Sequence, residues 1–161
     1  MVSTGQLIPG GLKAEDVELL TKLANGKNVL QLGCHCGKAS VILARCAWAT
    51  WIVEDFFRPD GLGSIPEELK ANADRYFPED SEVNLIYSPQ VGVWVYPEES
   101  RELPEEGVDV VYRDADRREE LREQDDLLAH GLLPRGGVYA WHDQEKNLRW
   151  LQIEPVSVET N

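Results

Sequence analysis

Short apolar runs alternate with amphipathic stretches along the chain. The apolar runs, bounded by turn residues, predict strands over Asn28–Leu32, Thr50–Val53, Val83–Tyr87, Val108–Tyr112 and Gly137–Trp141. Apolar positions at helical spacing predict helices over Ala14–Ala24, Lys38–Trp48, Pro66–Phe77 and Arg118–Leu133. Strands that alternate with helices at this spacing predict a parallel sheet with right-handed crossovers.

Three further segments are less regular. Gly92–Tyr96 alternates like a strand, although a helix is usual at this place in such folds, Lys146–Leu151 predicts a short helix, and Val156–Glu159 predicts a last strand. The elements together predict one α/β domain over residues 1–161. Its sheet would be Rossmann-like and doubly wound, with about six mostly parallel strands and helices on both faces. The final antiparallel strand could be missing.

Composition and charge limit the classes of molecule that the chain is expected to bind. The chain of 161 residues is 42% hydrophobic and carries a formal net charge of -13, which repels nucleic-acid phosphates and anionic lipid. We therefore expect a small-molecule substrate, with no nucleic acid and no membrane as partner. No apolar run reaches the length of a membrane span, no secretory leader is recognisable, and three cysteines make no disulfide framework. A cytoplasmic location is expected.

Two glycines four positions apart follow the first predicted strand. Gly33 permits a tight turn with the backbone close to a ligand, and Gly37 lets the next helix begin near it. His35 stands where a dinucleotide-binding loop would have a third glycine, which disfavours NAD and FAD. We also predict that Cys34, which lies in this loop, contacts the ligand. A zinc site at this loop is disfavoured, because the chain has no further pair of Cys or His residues at a suitable spacing. A strand-helix turn that binds nothing is the alternative.

An acid ends the second predicted strand. Glu54 lies 21 residues after Gly33 (54 − 33), where a carboxylate can accept hydrogen bonds from both hydroxyls of a ribose. Asp55 would serve if the register differs by one residue. The alternative is an ordinary acid at a strand end.

Further acids follow the fourth and fifth predicted strands. Asp114 and Asp116 follow the fourth, and His142 and Asp143 follow the fifth. Carboxylates that converge at one edge of a sheet repel one another unless a cation lies between them, and Mg²⁺ suits a site with few protein oxygens. Asp116 would then be free to act as a general base. Solvated loop acids are the alternative.

These segments carry a family resemblance. The run Asp109–Asp116 and the run Leu133–Asp143 resemble the second half of the cation-dependent, macrocin-type sugar O-methyltransferases, and their spacing is similar to that of catechol O-methyltransferase. In those families the first metal-binding acid ends the fourth strand, and two more ligands follow 28 and 29 positions later. Here His142 and Asp143 follow Asp114 at the same distances (142 − 114 and 143 − 114). The Gly33–Gly37 loop resembles the cofactor loop of class I S-adenosylmethionine-dependent methyltransferases. The resemblance covers about Leu12 to Asp143.

The resemblance implies an enzyme of the EC 2.1.1 type that O-methylates a small hydroxylated molecule with the help of Mg²⁺. Asp116 would be the catalytic base. The implied metal ligands are Asp114, His142 and Asp143, and the implied S-adenosylmethionine-binding residues are Gln31, Gly33, Cys34, Gly37, Glu54 and Asp114.

Some positions depart from the family pattern. Gln31 stands where these enzymes usually have an acid that orients the methionine amino end, and the long lids that enclose sugar substrates are absent. Two other interpretations therefore stay open. One is a different S-adenosylmethionine-using enzyme, either an N-methyltransferase or a lyase; the other is a non-catalytic binding or scaffold protein on a decayed methyltransferase fold. A short chain without lids could also complete its site with a second copy of itself.

Overall fold

The computed structural model describes residues 12–33, 38–54, 74–87, 94–96, 100–114, 119–134 and 136–154. Three helices and six strands lie within these residues. In chain order they are α1 (Ala14–Ala24), β1 (Asn28–Leu32), α2 (Lys38–Cys46), β2 (Ala49–Glu54), β3 (Val83–Tyr87), β4 (Val110–Arg113), α3 (Arg122–Leu132), β5 (Val138–His142) and β6 (Leu148–Gln152). A 3₁₀ turn, Glu119–Leu121, leads into α3.

The described strands form one sheet in the order β3-β2-β1-β4-β5-β6. Neighbours from β3 to β5 are parallel, and β6 runs antiparallel to β5 at the edge. β1 pairs with β2 on one side and with β4 on the other, so the winding direction reverses there. In open sheets of this kind, a ligand crevice opens at that reversal, outside the carboxyl ends of the strands. The predicted doubly wound, mostly parallel Rossmann-like fold is confirmed.

Apolar cores lie on both faces of the sheet. On one face, Leu20 of α1 and Leu43 of α2 pack into a cluster that includes Tyr112. On the other face, Ala129 of α3 packs into a cluster that includes Val111. Tyr112 and Val111 are consecutive on β4, and consecutive strand residues point to opposite faces. Helices therefore cover both faces, as the alternating pattern predicted.

Most predicted elements agree with the structure within two residues. The bounds of α1, β1 and β3 are those predicted, and β2, β4 and β5 differ by one or two residues. The helix α2 ends at Cys46 instead of Trp48, because the Trp48 amide donates to the Lys27 carbonyl at 2.8 Å and not to the helix. The helix predicted over 118–133 consists of the 3₁₀ turn followed by α3.

The short helix predicted over Lys146–Leu151 is wrong. This segment contains the strand β6, which pairs with β5 from His142↔Leu148 to Val138↔Gln152. A parallel return needs a crossover of a dozen or more residues, and residues 143–147 leave room only for a hairpin turn. The structure thus has an antiparallel edge strand, which the sequence suggested could be missing.

Several predictions fall partly or wholly outside the described residues. Within the helix predicted over 66–77, the structure describes residues 74–76 as helical. Within the segment 92–96, which alternates like a strand, it describes residues 94–96, with a single β-bridge at Val95. The strand predicted over 156–159 lies outside them. Among the described helices, none has the length and apolar character of a membrane span.

Candidate active site

Gly33 lies where the carboxyl ends of β1 and β2 meet. Its φ of 80° is in the left-handed region, which glycine adopts without the strain that a side chain would bring. Its amide donates to the Val53 carbonyl at 2.8 Å, and Val53 pairs with Leu32 across the two strands. The backbone of Glu54 therefore follows directly beside the Gly33 turn. The structure brings these two predicted cofactor residues together, while their part in binding stays a prediction.

Gln31 holds this turn from beneath. Its side chain is fully buried, its Nε2 donates to the Gly33 carbonyl at 2.8 Å, and its Oε1 accepts from Ser40 Oγ at 2.9 Å. Ser40 belongs to α2, so one amide side chain ties β1, the turn and the helix together. An acid at this position would turn a carboxylate toward the Gly33 carbonyl. The glutamine that departs from the family pattern thus has a structural explanation that the sequence did not reveal.

Asp114 lies on the other side of Gly33. It follows β4 directly, it is 8% exposed, and its amide donates to the Leu32 carbonyl at 3.0 Å. Because Leu32 also pairs with Arg113, Asp114 stands opposite the glycine turn at the reversal of the sheet. The carboxyl ends of β1, β2 and β4 therefore place Gly33 between Glu54 and Asp114.

His142 makes hydrogen bonds through both ring nitrogens. Nε2 lies 2.8 Å from the Tyr112 hydroxyl, and Nδ1 lies 3.3 Å from the Lys146 carbonyl. A carbonyl can only accept, so this network assigns the proton to Nδ1 and makes Nε2 the acceptor of the Tyr112 hydroxyl. The imidazole is 4% exposed and also contacts Tyr112 edge to face. His142 thereby ties the end of β5 to β4 and to the following turn.

Asp143 closes the turn between β5 and β6. Its Oδ1 accepts from the Glu145 and Asn147 amides, each at 2.9 Å, and its Oδ2 accepts from Arg149 Nε at 2.9 Å. The bond from the Asn147 amide is the largest cause of a lowered pKa of this carboxyl, with further contributions from Arg149 and the Glu145 amide. The carboxylate is thus the cap of a hairpin.

The described geometry does not support the predicted Mg²⁺ site. Within the residues that the structure describes, no three His, Cys, Asp or Glu side chains converge as metal ligands. Both His142 nitrogens and both Asp143 oxygens are engaged by groups of the protein itself. This donor set does not fit the ion, so we derive no step through a metal. The predicted residues Cys34, Gly37 and Asp116 lie outside the described residues.

A cleft of about 270 Å³ opens at the carboxyl ends of β4 and β5. Its lining residues are charged or polar: Arg113, Glu119, Arg122, His142, Asp143, Gln144 and Lys146. Sequence reasoning missed Arg113, which is 3% exposed and whose Nε donates to Oδ2 of the fully buried Asp125 at 3.1 Å. The available signal was an arginine at the end of the otherwise apolar run that forms β4.

No family model matches the chain, and no curated protein matches it. Solved structures do match. The chain superposes, over 83% of its length, on a SAM-dependent methyltransferase of Thiobacillus denitrificans in complex with S-adenosyl-L-homocysteine, with a TM-score of 0.56 and 16% identity. The methyltransferase CcbJ of Streptomyces caelestis matches over 79% with TM-score 0.55 and 21% identity, and the precorrin 8w decarboxylase of Methanobacterium thermoautotrophicum over 84% with 0.55 and 17%. The chain therefore has the Rossmann-like fold that these proteins share.

These matches do not favour the cation-dependent O-methyltransferases over other methyltransferases. The chain spans 50%, 47% and 66% of the lengths of the three proteins, in the order given. The Gly33 turn and the cleft both lie at the carboxyl edge of the sheet.

Proposed function

We propose that this chain is a methyltransferase domain that binds S-adenosylmethionine at the carboxyl ends of β1, β2 and β4. The observation that carries the proposal is the left-handed Gly33 turn, whose backbone bonds to Val53 on one side and which stands opposite Asp114 on the other. A turn without a side chain lets a ligand approach the backbone closely, and two flanking acids offer acceptors to its hydroxyl and amino groups.

The roles of the individual residues follow from their positions. Glu54, beside the turn, would accept hydrogen bonds from the ribose hydroxyls, and Asp114, across the turn, would face the positively charged amino end. Gln31 would act on the cofactor only indirectly, because its amide supports the Gly33 carbonyl from beneath. Cys34 and Gly37, which continue the loop, stay predicted contacts.

The methyl group of S-adenosylmethionine is already activated on a sulfonium, so the protein's main task is alignment of an acceptor atom with it. The cleft at the carboxyl ends of β4 and β5 is the candidate space for that acceptor. O-methylation of a small hydroxylated molecule, with Asp116 as proton acceptor, is the finer form of the proposal. Mg²⁺ has no place in it, because His142 and Asp143 are engaged within the protein.

Calorimetric titration with S-adenosylmethionine tests the proposal. We expect saturable binding that weakens about tenfold in Glu54→Gln, because a hydrogen bond to a charged group contributes about 1.5–3 kcal/mol. The matched control is Glu106→Gln, which removes an exposed acid from the turn before β4, at the opposite end of the sheet. Gly33→Ala should also weaken binding, with thermal unfolding measured in parallel to separate backbone strain from lost contact.

Each result has a defined meaning. Absence of binding to the wild-type protein would refute the proposal and favour the non-catalytic scaffold interpretation. Binding that is equally strong in Glu54→Gln and Glu106→Gln would refute the assignment of Glu54 to the ribose.

A further inference from the structure

The cleft at the ends of β4 and β5 concentrates positive charge in an acidic protein. The chain has a formal net charge of -13, yet three of the seven lining residues are the cations Arg113, Arg122 and Lys146. The two lining carboxylates each face arginines: Asp143 bonds to Arg149, and Glu119 lies 3.8 Å from Arg122 and 4.0 Å from Arg113. Counted together with the buried Asp125, which bonds to Arg113, and with Arg149, the cleft and its immediate partners carry four cations and three carboxylates.

Arg113 is a rigid part of the cleft wall. Its side chain is 3% exposed, and its guanidinium is oriented by the bond from Nε to the fully buried Asp125 on α3. A guanidinium carries five N–H donors in one plane, so fixing Nε also fixes the direction of the others. The adjoining amino-terminal turn of α3 contributes positive potential from the helix dipole.

Lys146 occupies an unfavourable backbone conformation. Its φ is 63°, in the left-handed region, and its amide donates to the Asp143 carbonyl at 2.9 Å to close the β5–β6 turn. In hairpin turns of this kind, glycine or asparagine is preferred at the left-handed position, because a Cβ atom crowds the following carbonyl there and asparagine can offset this with a local hydrogen bond. A residue held in such strain points to a use for its side chain. The lysine lies at the tip of the turn that forms one wall of the cleft.

We infer that this cleft binds an oxyanion of the methyl acceptor, a carboxylate or a phosphate group, through Arg113, Arg122 and Lys146. The inference rests on the proposed function for the identity of the ligand as a methyl acceptor. The cations of the cleft would attract an anionic substrate, which the strongly negative surface of the chain would otherwise repel. A volume of about 270 Å³ suits a small molecule or the charged end of a larger one.

Amide and Arg Nε NMR titrations test the inference without cofactor. Inorganic phosphate and benzoate are added separately, with sodium chloride at matched ionic strength as control. We expect saturable shifts of the amides of residues 143–146 and of Arg113 Nε with at least one of the two anions. The anion that binds more tightly then identifies the charged group as phosphate or carboxylate.

Two variants of Lys146 sharpen the test. Lys146→Gly should weaken anion binding about fivefold while raising the unfolding midpoint by about 2 °C, since it removes a charge and relieves the backbone. Lys146→Arg should keep the affinity. Lys22→Gln, which removes an exposed charge on α1 away from the cleft, should change neither quantity.

The results separate the two proposals. No saturable shift with either anion, or equal affinity of Lys146→Gly and wild type, would overturn the inference even if S-adenosylmethionine binds. Anion binding that depends on Lys146, in a protein that fails to bind S-adenosylmethionine, would support the oxyanion site and refute the methyltransferase proposal.

Discussion

Replacement of Gln31 should reveal how strongly one buried amide supports the candidate cofactor turn. In Gln31→Leu, the side chain keeps nearly the same volume but loses both of its polar atoms. The Gly33 carbonyl and the Ser40 hydroxyl, which now bond to it at 2.8 and 2.9 Å, would lose these partners inside the protein. The perturbation is therefore polar, with little change in packing.

The expected loss of stability follows from these two groups. A buried polar group left without its partner costs about 1–3 kcal/mol, and Gly33 and Ser40 are both buried. For the two groups together, we expect Gln31→Leu to lower the free energy of unfolding by about 2–6 kcal/mol. The double variant Gln31→Leu/Ser40→Ala removes one orphaned group, so it should recover about 1 kcal/mol of that loss.

Urea unfolding of the wild type, the two single variants and the double variant measures these differences. The cycle isolates the coupling between Gln31 and Ser40, because each single variant removes the same hydrogen bond. A loss below about 0.5 kcal/mol in Gln31→Leu, which is within the range of ordinary surface substitutions, would refute the reasoning. So would a double variant that is less stable than Gln31→Leu alone.

Two further predictions concern charged groups of the cleft. Arg113→Met should lower the free energy of unfolding by about 3–5 kcal/mol, because it removes the arginine that pairs with the buried Asp125 carboxylate. Arg113→Met/Asp125→Leu should recover most of that loss, and equal stability of the two variants in urea would contradict this. The lowered pKa of Asp143 means that its stabilising effect is present above the unfolded pKa of about 3.9 and is lost as pH falls through the folded value. The midpoints of thermal unfolding of wild type and Asp143→Ala should therefore differ at pH 7 and converge in acid, and a gap independent of pH would disprove the assignment.

The prediction of α1, β1 and β3 succeeded because their patterns are local. Each is a single periodic stretch bounded by turn residues, and local periodicity depends only on which face of the element is buried. Leu148–Gln152 was harder, because four of its five residues are exposed in the structure and no buried face repeats along it. Its strand conformation comes from pairing with β5.

The predicted site residues after β1, β2 and β4 lie at one edge of the sheet, because the carboxyl ends of parallel strands meet there. Their role in binding stays a prediction. Spacing also matched His142 and Asp143 to a metal pair, yet spacing does not report on hydrogen bonds. The partner of His142, Tyr112, lies 30 residues away along the chain.

The sequence by itself determined the alternation of strands and helices, the doubly wound parallel sheet that such alternation favours, and the loops in which polar residues gather. Tertiary structure alone decided the strand order and which of those polar residues bond to other parts of the protein. Gln31 and Asp143 became supports of turns, and Arg113 became a wall of a cleft, through contacts with Ser40, Arg149 and Asp125. The physical reason is that burial patterns repeat along the chain, whereas the partner of a polar group depends on elements that only folding brings together.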